Sequence, residues 1–160
     1  MQYVGLIFVM LSALIFSLEY TEYMKKRMHE CESFLNLIAH LRIELGCYLR
    51  PVREAAASFE SIVLDKAGFS EAIRETENLG LAYKKIKKKL SLSEDESKPL
   101  EILFSSLGKG YLDDEIKLIC TCEEEMRKTV EKINSQAPKN IKLISTLSVT
   151  AAIGFFILVI

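Results

Sequence analysis

The sequence predicts an all-α protein: a cytoplasmic bundle of about five to six helices, flanked by an N-terminal and a C-terminal transmembrane helix. Three observations carry this expectation. Apolar residues in the middle of the chain recur at three- and four-residue steps, the period of an amphipathic helix. No run of alternating β-branched residues is bounded by hairpin turns. All 21 basic and 22 acidic residues of the 160 lie between Glu19 and Lys142, so both chain ends carry only uncharged side chains. The expected division is a transmembrane helix over 1–19, a cytoplasmic helical bundle over 20–140 and a second transmembrane helix over 141–160.

The first apolar segment, Tyr3 to Leu18, would span roughly 24 Å as a helix, and the last, Leu143 to Ile160, roughly 27 Å. A hydrocarbon core takes about 17 to 25 residues, so the second is long enough and the first is short. "MQYV" lacks the basic start of a signal peptide, and no small-residue cleavage site follows the apolar run. Lys25, Lys26 and Arg27 follow the first segment, and Lys132, Lys139 and Lys142 precede the last. The positive-inside rule then places the charged middle in the cytoplasm and both termini outside. There Cys31, Cys47, Cys120 and Cys122 are expected to stay reduced. A net charge of −1 offers no basic excess for nucleic acid, and no nucleic-acid partner is expected.

Within the bundle, Phe34, Leu37, Ile38, Leu41, Leu45 and Tyr48 form one stripe of a long helix that continues from the first apolar segment. Gly46 and Pro51 bracket its end, because the residue before a proline avoids the helical region. Pro51 suits the first turn of a second helix carrying Ala55, Phe59, Ile62 and Val63 on one side, which Gly68 ends. A third helix starts near Phe69, with Ile73, Leu79, Tyr83, Ile86 and Leu90 as its stripe and Gly80 weakening its middle. Ser93 and Glu96 have capping-box spacing ahead of Leu100, Leu103, Phe104 and Leu107. "GKG" at 108–110 breaks that helix. The fifth opens on Asp113, Asp114 and Glu115, where negative charge meets the positive end of the helix dipole, and buries Leu112, Ile116, Ile119, Met126, Val130 and Ile133. Pro138 marks its exit toward the membrane.

The motifs that suggest chemistry read as structure. His29 and His40 share a helix face but sit roughly 16 Å apart along the axis, too far for one ion, and that face is the polar one. The two thiols of Cys120 and Cys122 point in opposite directions on a helix, with Cys122 on the apolar side. "LGKG" lacks the P-loop spacing, and three acids at the next helix start repel phosphate. Glu123, Glu124 and Glu125 read as a solvated face. No nucleophile–base set is present, and no enzyme, metal or cofactor is expected. Lys84, Lys85, Lys87, Lys88 and Lys89 in "YKKIKKKL" admit two readings: charge suited to a helix C-terminus, or a docking patch for an acidic partner or anionic headgroups. In the last segment Ser148 and Ala152, and Thr150 and Gly154, have the small-xxx-small spacing of close helix packing.

Two stretches carry a resemblance. "RIELGCYLRPVREAAASF" and "LFSSLGKGYLDDEIKLI" are similar to the E…Y…PL-x-EA segment and the LG-turn of the stage III sporulation protein AB family, itself similar to the cytoplasmic domain of type II secretion F-type platform proteins. Glu44, Pro51, Glu54, Ala55, Leu107 and Gly108 occupy matching places. Val52 stands where the family usually has Leu, and Tyr111 and Glu115 replace polar residues after the turn. The resemblance implies a non-enzymatic, multi-copy platform in the secretion-like channel complex between mother cell and forespore, needed for endospore formation. It also implies a cytoplasmic secretion-type ATPase partner, stage III sporulation protein AA, other stage III channel components, and a place in the mother-cell membrane around the forespore. Glu44, Pro51, Glu54 and Gly108 join the lysines as docking candidates. The alternative is a membrane-anchored adaptor of another assembly, recruiting an acidic partner through the lysines.

Overall fold

In the computed structural model, seven helices follow one another: α1 (Gln2–Gly46), α2 (Val52–Ala57), α3 (Ile62–Ala67), α4 (Phe69–Glu75), α5 (Leu79–Lys87), α6 (Glu94–Ser106) and α7 (Leu112–Val159). The structure describes the backbone of residues 2–159 and the side chains of 11–151, 153 and 154. Among the described residues there is no strand, so the all-α expectation holds. The chain divides into two compact units, one of Met1–Lys26 with Lys132–Ile160 and one of Arg27–Glu131.

The Arg27–Glu131 unit is built around four aromatic rings. Phe34 meets Phe69, Tyr83 and Phe104 edge-on, with centroids 6.2, 5.8 and 6.3 Å apart. Tyr83 stacks on Phe104 at 5.2 Å. Such offset geometry sets the positive ring edge against the negative face. Leu37, Ile38, Leu41, Leu100, Leu103 and Ile119 close around the rings with no solvent exposure. The Tyr83 hydroxyl shares a 2.7 Å hydrogen bond with Ser97 Oγ, so this buried polar group has a partner.

Two expected helices are each divided. The second breaks between Ala57 and Ile62. The Ser58 hydroxyl donates to Ala55 O (2.9 Å), and Ser61 Oγ accepts from the Leu64 N–H, starting a new helix. Serine side chains at both ends of the gap compete with the helical ladder. The break resets the phase: Leu64 and Ala67 turn inward, while Ile62, expected on the apolar side, is 77% exposed. The third breaks at Thr76–Asn78. Thr76 Oγ1 donates to Ala72 O at 2.6 Å, and Asn78 Oδ1 accepts the Gly80 N–H at 2.8 Å as an N-cap. Tyr48 (67% exposed) and Leu112 (40%) also leave the stripes in which the periodicity places them, because Tyr48 lies in the turn after α1 and Leu112 is the first residue of α7.

Gly80 therefore lies in the first turn of α5, not in the middle of a helix. A Cβ there would come within 3.2 Å of Phe104 O and 3.1 Å of Ser105 Cα, both backbone atoms of α6. Its missing side chain sets how closely α5 and α6 approach. Gly80→Ala is expected to cost about 1–3 kcal/mol, the overpacking penalty, despite the better helix propensity of alanine. Denaturant unfolding of the full chain in detergent measures it.

Helix α7 runs unbroken through Pro138. In the unit of Met1–Lys26 and Lys132–Ile160, Met24, Ile133 and Ala137 are buried. Leu14, Ile15, Phe16, Leu18, Leu143 and Leu147 are each more than half exposed. Among the described residues no helix is long and apolar enough to cross a membrane. Much of the two expected spans, residues 3–10, 152 and 155–160, lies outside the described side chains.

Candidate functional site

The segment after α1 folds by local polar contacts. Arg50 N–H donates to Glu44 O (3.1 Å), and Leu49 takes a left-handed φ of 53°. The Arg50 guanidinium sits 3.1 Å from Glu44 Oε2 in an ion pair, so half-buried Glu44 serves this turn. Pro51 then caps α2 with φ −55° and ψ 137°. On the other stretch, Gly108 adopts φ 80°, a conformation open to glycine at little cost. Glu115 Oε1 accepts the N–H groups of Gly108 (2.8 Å) and Gly110 (3.1 Å). Of the three acids opening α7, this buried one shapes the turn, while Asp113 and Asp114 face solvent.

These two turns, 57 positions apart in sequence at Pro51 and Gly108, line one cleft of about 430 Å3. Its walls include Pro51, Val52, Arg53, Asn78, Leu107 and Lys109. Arg53 is held there, with Nη2 donating to Ile73 O at 3.3 Å and to Arg74 O at 3.4 Å. The cleft lies where α2 and α5 start and α6 stops, just beyond the end of α1. Along α1 that is about 28 Å beyond Arg27, where the chain enters this unit. Glu44 and Glu54 do not line it.

The lysines form a different surface. Lys84, Lys85, Lys88 and Lys89 are exposed. Lys85 pairs with Glu75 (3.1 Å), and Lys87 pairs with Glu101 (2.7 Å), which holds its ammonium above the usual lysine range. In the other unit, Ser148 lines an apolar gap of about 210 Å3 with Ala13, Leu14, Ser17 and Ser145 among its walls. Thr150 is exposed and donates to Thr146 O (2.9 Å). A Cβ on Gly154 would meet nothing within 4 Å among the described residues. Ala152 lies outside the described side chains.

Several residues matter that the sequence reading passed over. Arg27 forks onto Glu96, with Nη2 2.6 Å from Oε1 and Nε 2.9 Å from Oε2. Burial disfavours the Glu96 carboxylate, but the Arg27 fork and the Ser93 N–H at 2.8 Å outweigh it and hold its pKa below the usual range. Glu30, also buried, accepts the Ser91 N–H at 2.6 Å. Together they staple residues 91–93 and the first turn of α6 to α1. Glu123 is buried too, gripping Arg42 (3.0 Å) and Arg127 (2.9 Å), so it is not part of a solvated acidic face. His40 bonds Ser58 Oγ (3.1 Å) and lies against Phe59 with centroids 5.5 Å apart; it is half-buried. Burial pushes the Cys31 and Cys122 thiols up to about 12, which makes them packing groups. Among the described residues no group of His, Cys, Asp and Glu could hold a metal ion.

Taken together, a helical unit with a two-turn cleft, and first and last helices that run on into apolar sequence, define an all-α helical module. The family described as stage III sporulation protein AB matches residues 2–160, and the chain belongs to it. Membership gives the protein a sporulation-related role alongside other sporulation proteins. No curated protein and no solved structure matches the chain.

Proposed function

We propose that the protein is a non-enzymatic platform of the secretion-like channel between mother cell and forespore. Its cytoplasmic bundle docks the ATPase-like stage III sporulation protein AA, and several copies assemble with the other stage III channel components. The observation that carries the reading is the cleft: the two stretches that resemble the family, far apart in sequence, form its walls at one end of the bundle. In this reading both chain ends enter the mother-cell membrane around the forespore, with the termini outside. The exposed leucines and phenylalanine of the apolar helices, and the lysines that flank those helices on the inner side only, support it.

The test targets two exposed charges of the cleft, Glu77 and Lys109. Glu77→Lys with Lys109→Glu is expected to lower recovery of the ATPase-like protein with the full chain by about tenfold, as reversing interface charges does. The membrane content of the variant should match the wild type. Unchanged recovery would exclude the cleft as the docking site.

A further inference from the structure

Two other patches of the Arg27–Glu131 unit are opposite in charge and adjoin each other. The first is the outer face of α5. Leu81, Lys84, Lys85 and Lys88 fall at helical steps of three and four, and all are exposed. Lys84 and Lys88 have no ion-pair partner among the described residues. The second is a cleft of about 830 Å3 over α3 and α4, the largest in the bundle unit among those described. Its walls include Phe59, Glu60, Ile62, Asp65, Glu71 and Arg74. Three carboxylates against one guanidinium leave it at −2. Asp65 accepts from Ser70, while Glu60 and Glu71 make no ion pair among the described residues. Each patch carries an exposed aliphatic side chain, Leu81 at 55% and Ile62 at 77%.

The patches meet across α4. Lys85 on α5 pairs with Glu75 at its end (3.1 Å), and a Cβ built on Gly68 at its start would lie 3.5 Å from Lys89 Nζ and 4.0 Å from Glu71 Oε2. A face with a basic half beside an acidic half is complementary to itself under a two-fold rotation, since residue i then meets j while j meets i. We propose that a second copy of this chain docks on this face. The lysine side of α5 in one copy seats on the Glu60–Glu71 cleft of the other, with Leu81 covering Ile62. The inference deepens the oligomeric part of the platform reading and rests on it, yet it uses a surface separate from the Pro51–Gly108 cleft.

Full-length protein in detergent, mixed from isotope-labelled and unlabelled copies, is treated with a zero-length carbodiimide. The expected crosslinks join a Lys84 or Lys88 of one isotope to a Glu60, Asp65 or Glu71 of the other. Because these substitutions remove the coupling groups themselves, the variants are scored by recovery of an untagged copy with a tagged one, which Lys84→Glu with Lys88→Glu should lower by about tenfold or more. Glu60→Lys with Glu71→Lys should do the same, and mixing the two variants should restore it. All four side chains are solvent-facing, so the helical signal and melting of each variant should match the wild type. Crosslinks confined to single chains, or copy-to-copy recovery indifferent to reversal, would overturn the proposal. So would reversal that releases an acidic partner protein while leaving the recovery of one copy with another intact. Absence of the ATPase-like protein strikes the platform reading and leaves these crosslinks in place, so the two failures are distinguishable.

Discussion

Replacing Phe34 with Ala is expected to destabilise the helical bundle by about 3–5 kcal/mol. Phe34 has no solvent exposure and meets three other rings at 5.8 to 6.3 Å. Truncation loses the transfer energy of the ring and leaves a cavity whose other walls come from α4, α5 and α6. Those helices are short, at 7, 9 and 13 residues, and each would be marginal in water by itself. The ring cluster is what they share, so the site has little scope to collapse. Denaturant unfolding of the full chain in detergent, followed by circular dichroism, gives the difference. Ile102→Ala is the control: at 58% exposure it should change stability by under about 0.5 kcal/mol. A Phe34→Ala cost below about 1 kcal/mol would mean the rings do not hold the bundle together.

Arg27→Ala is the second large effect, expected at about 2–3 kcal/mol. The figure is set below that of a fully buried pair because Arg27 keeps 24% side-chain exposure, against 7% for Glu96. Without the guanidinium, Glu96 remains a buried carboxylate held by Ser93 alone. The pH dependence carries a sign. The folded pKa of Glu96 lies below its unfolded value, so the pair stabilises fully above the ordinary value of 4.5 and loses that contribution as pH falls through the lower folded value. The gap between wild type and Arg27→Ala should therefore narrow in acid. A gap that is constant with pH would assign the cost to lost packing of the arginine stem.

Much of this fold is written in local patterns. The stripe from Phe34 to Leu45 is buried as its spacing requires, and the capping box at Ser93 and Glu96 starts α6 where the spacing puts it. The breaks after Ala57 and Glu75 were not legible. They depend on Ser58, Ser61, Thr76 and Asn78 choosing backbone partners, and periodicity alone does not weigh that competition. Gly80 read as a weak point in a helix because its neighbour, the α6 backbone, is distant in sequence. The same reason hid the Arg27–Glu96 fork, whose members are 69 positions apart. Arg27 was accounted for as a flanking charge and Glu96 as a cap, and only their proximity makes them one device. For the site, short motifs pointed to Pro51 and Gly108, and the fold brings both to one cleft. Glu44 and Glu54 carried equal weight in the sequence but lie off it. The Glu60–Glu71 cleft left no sequence signal, since its residues are contributed across the unexpected break between α2 and α3.

The most direct measurement of the platform reading is the composition of the complex recovered through the full-length protein from gently solubilised membranes of sporulating cells. The account predicts that the ATPase-like stage III sporulation protein AA comes with it, along with further copies of this chain. Recovery of the intact, membrane-extracted protein without that partner would contradict it.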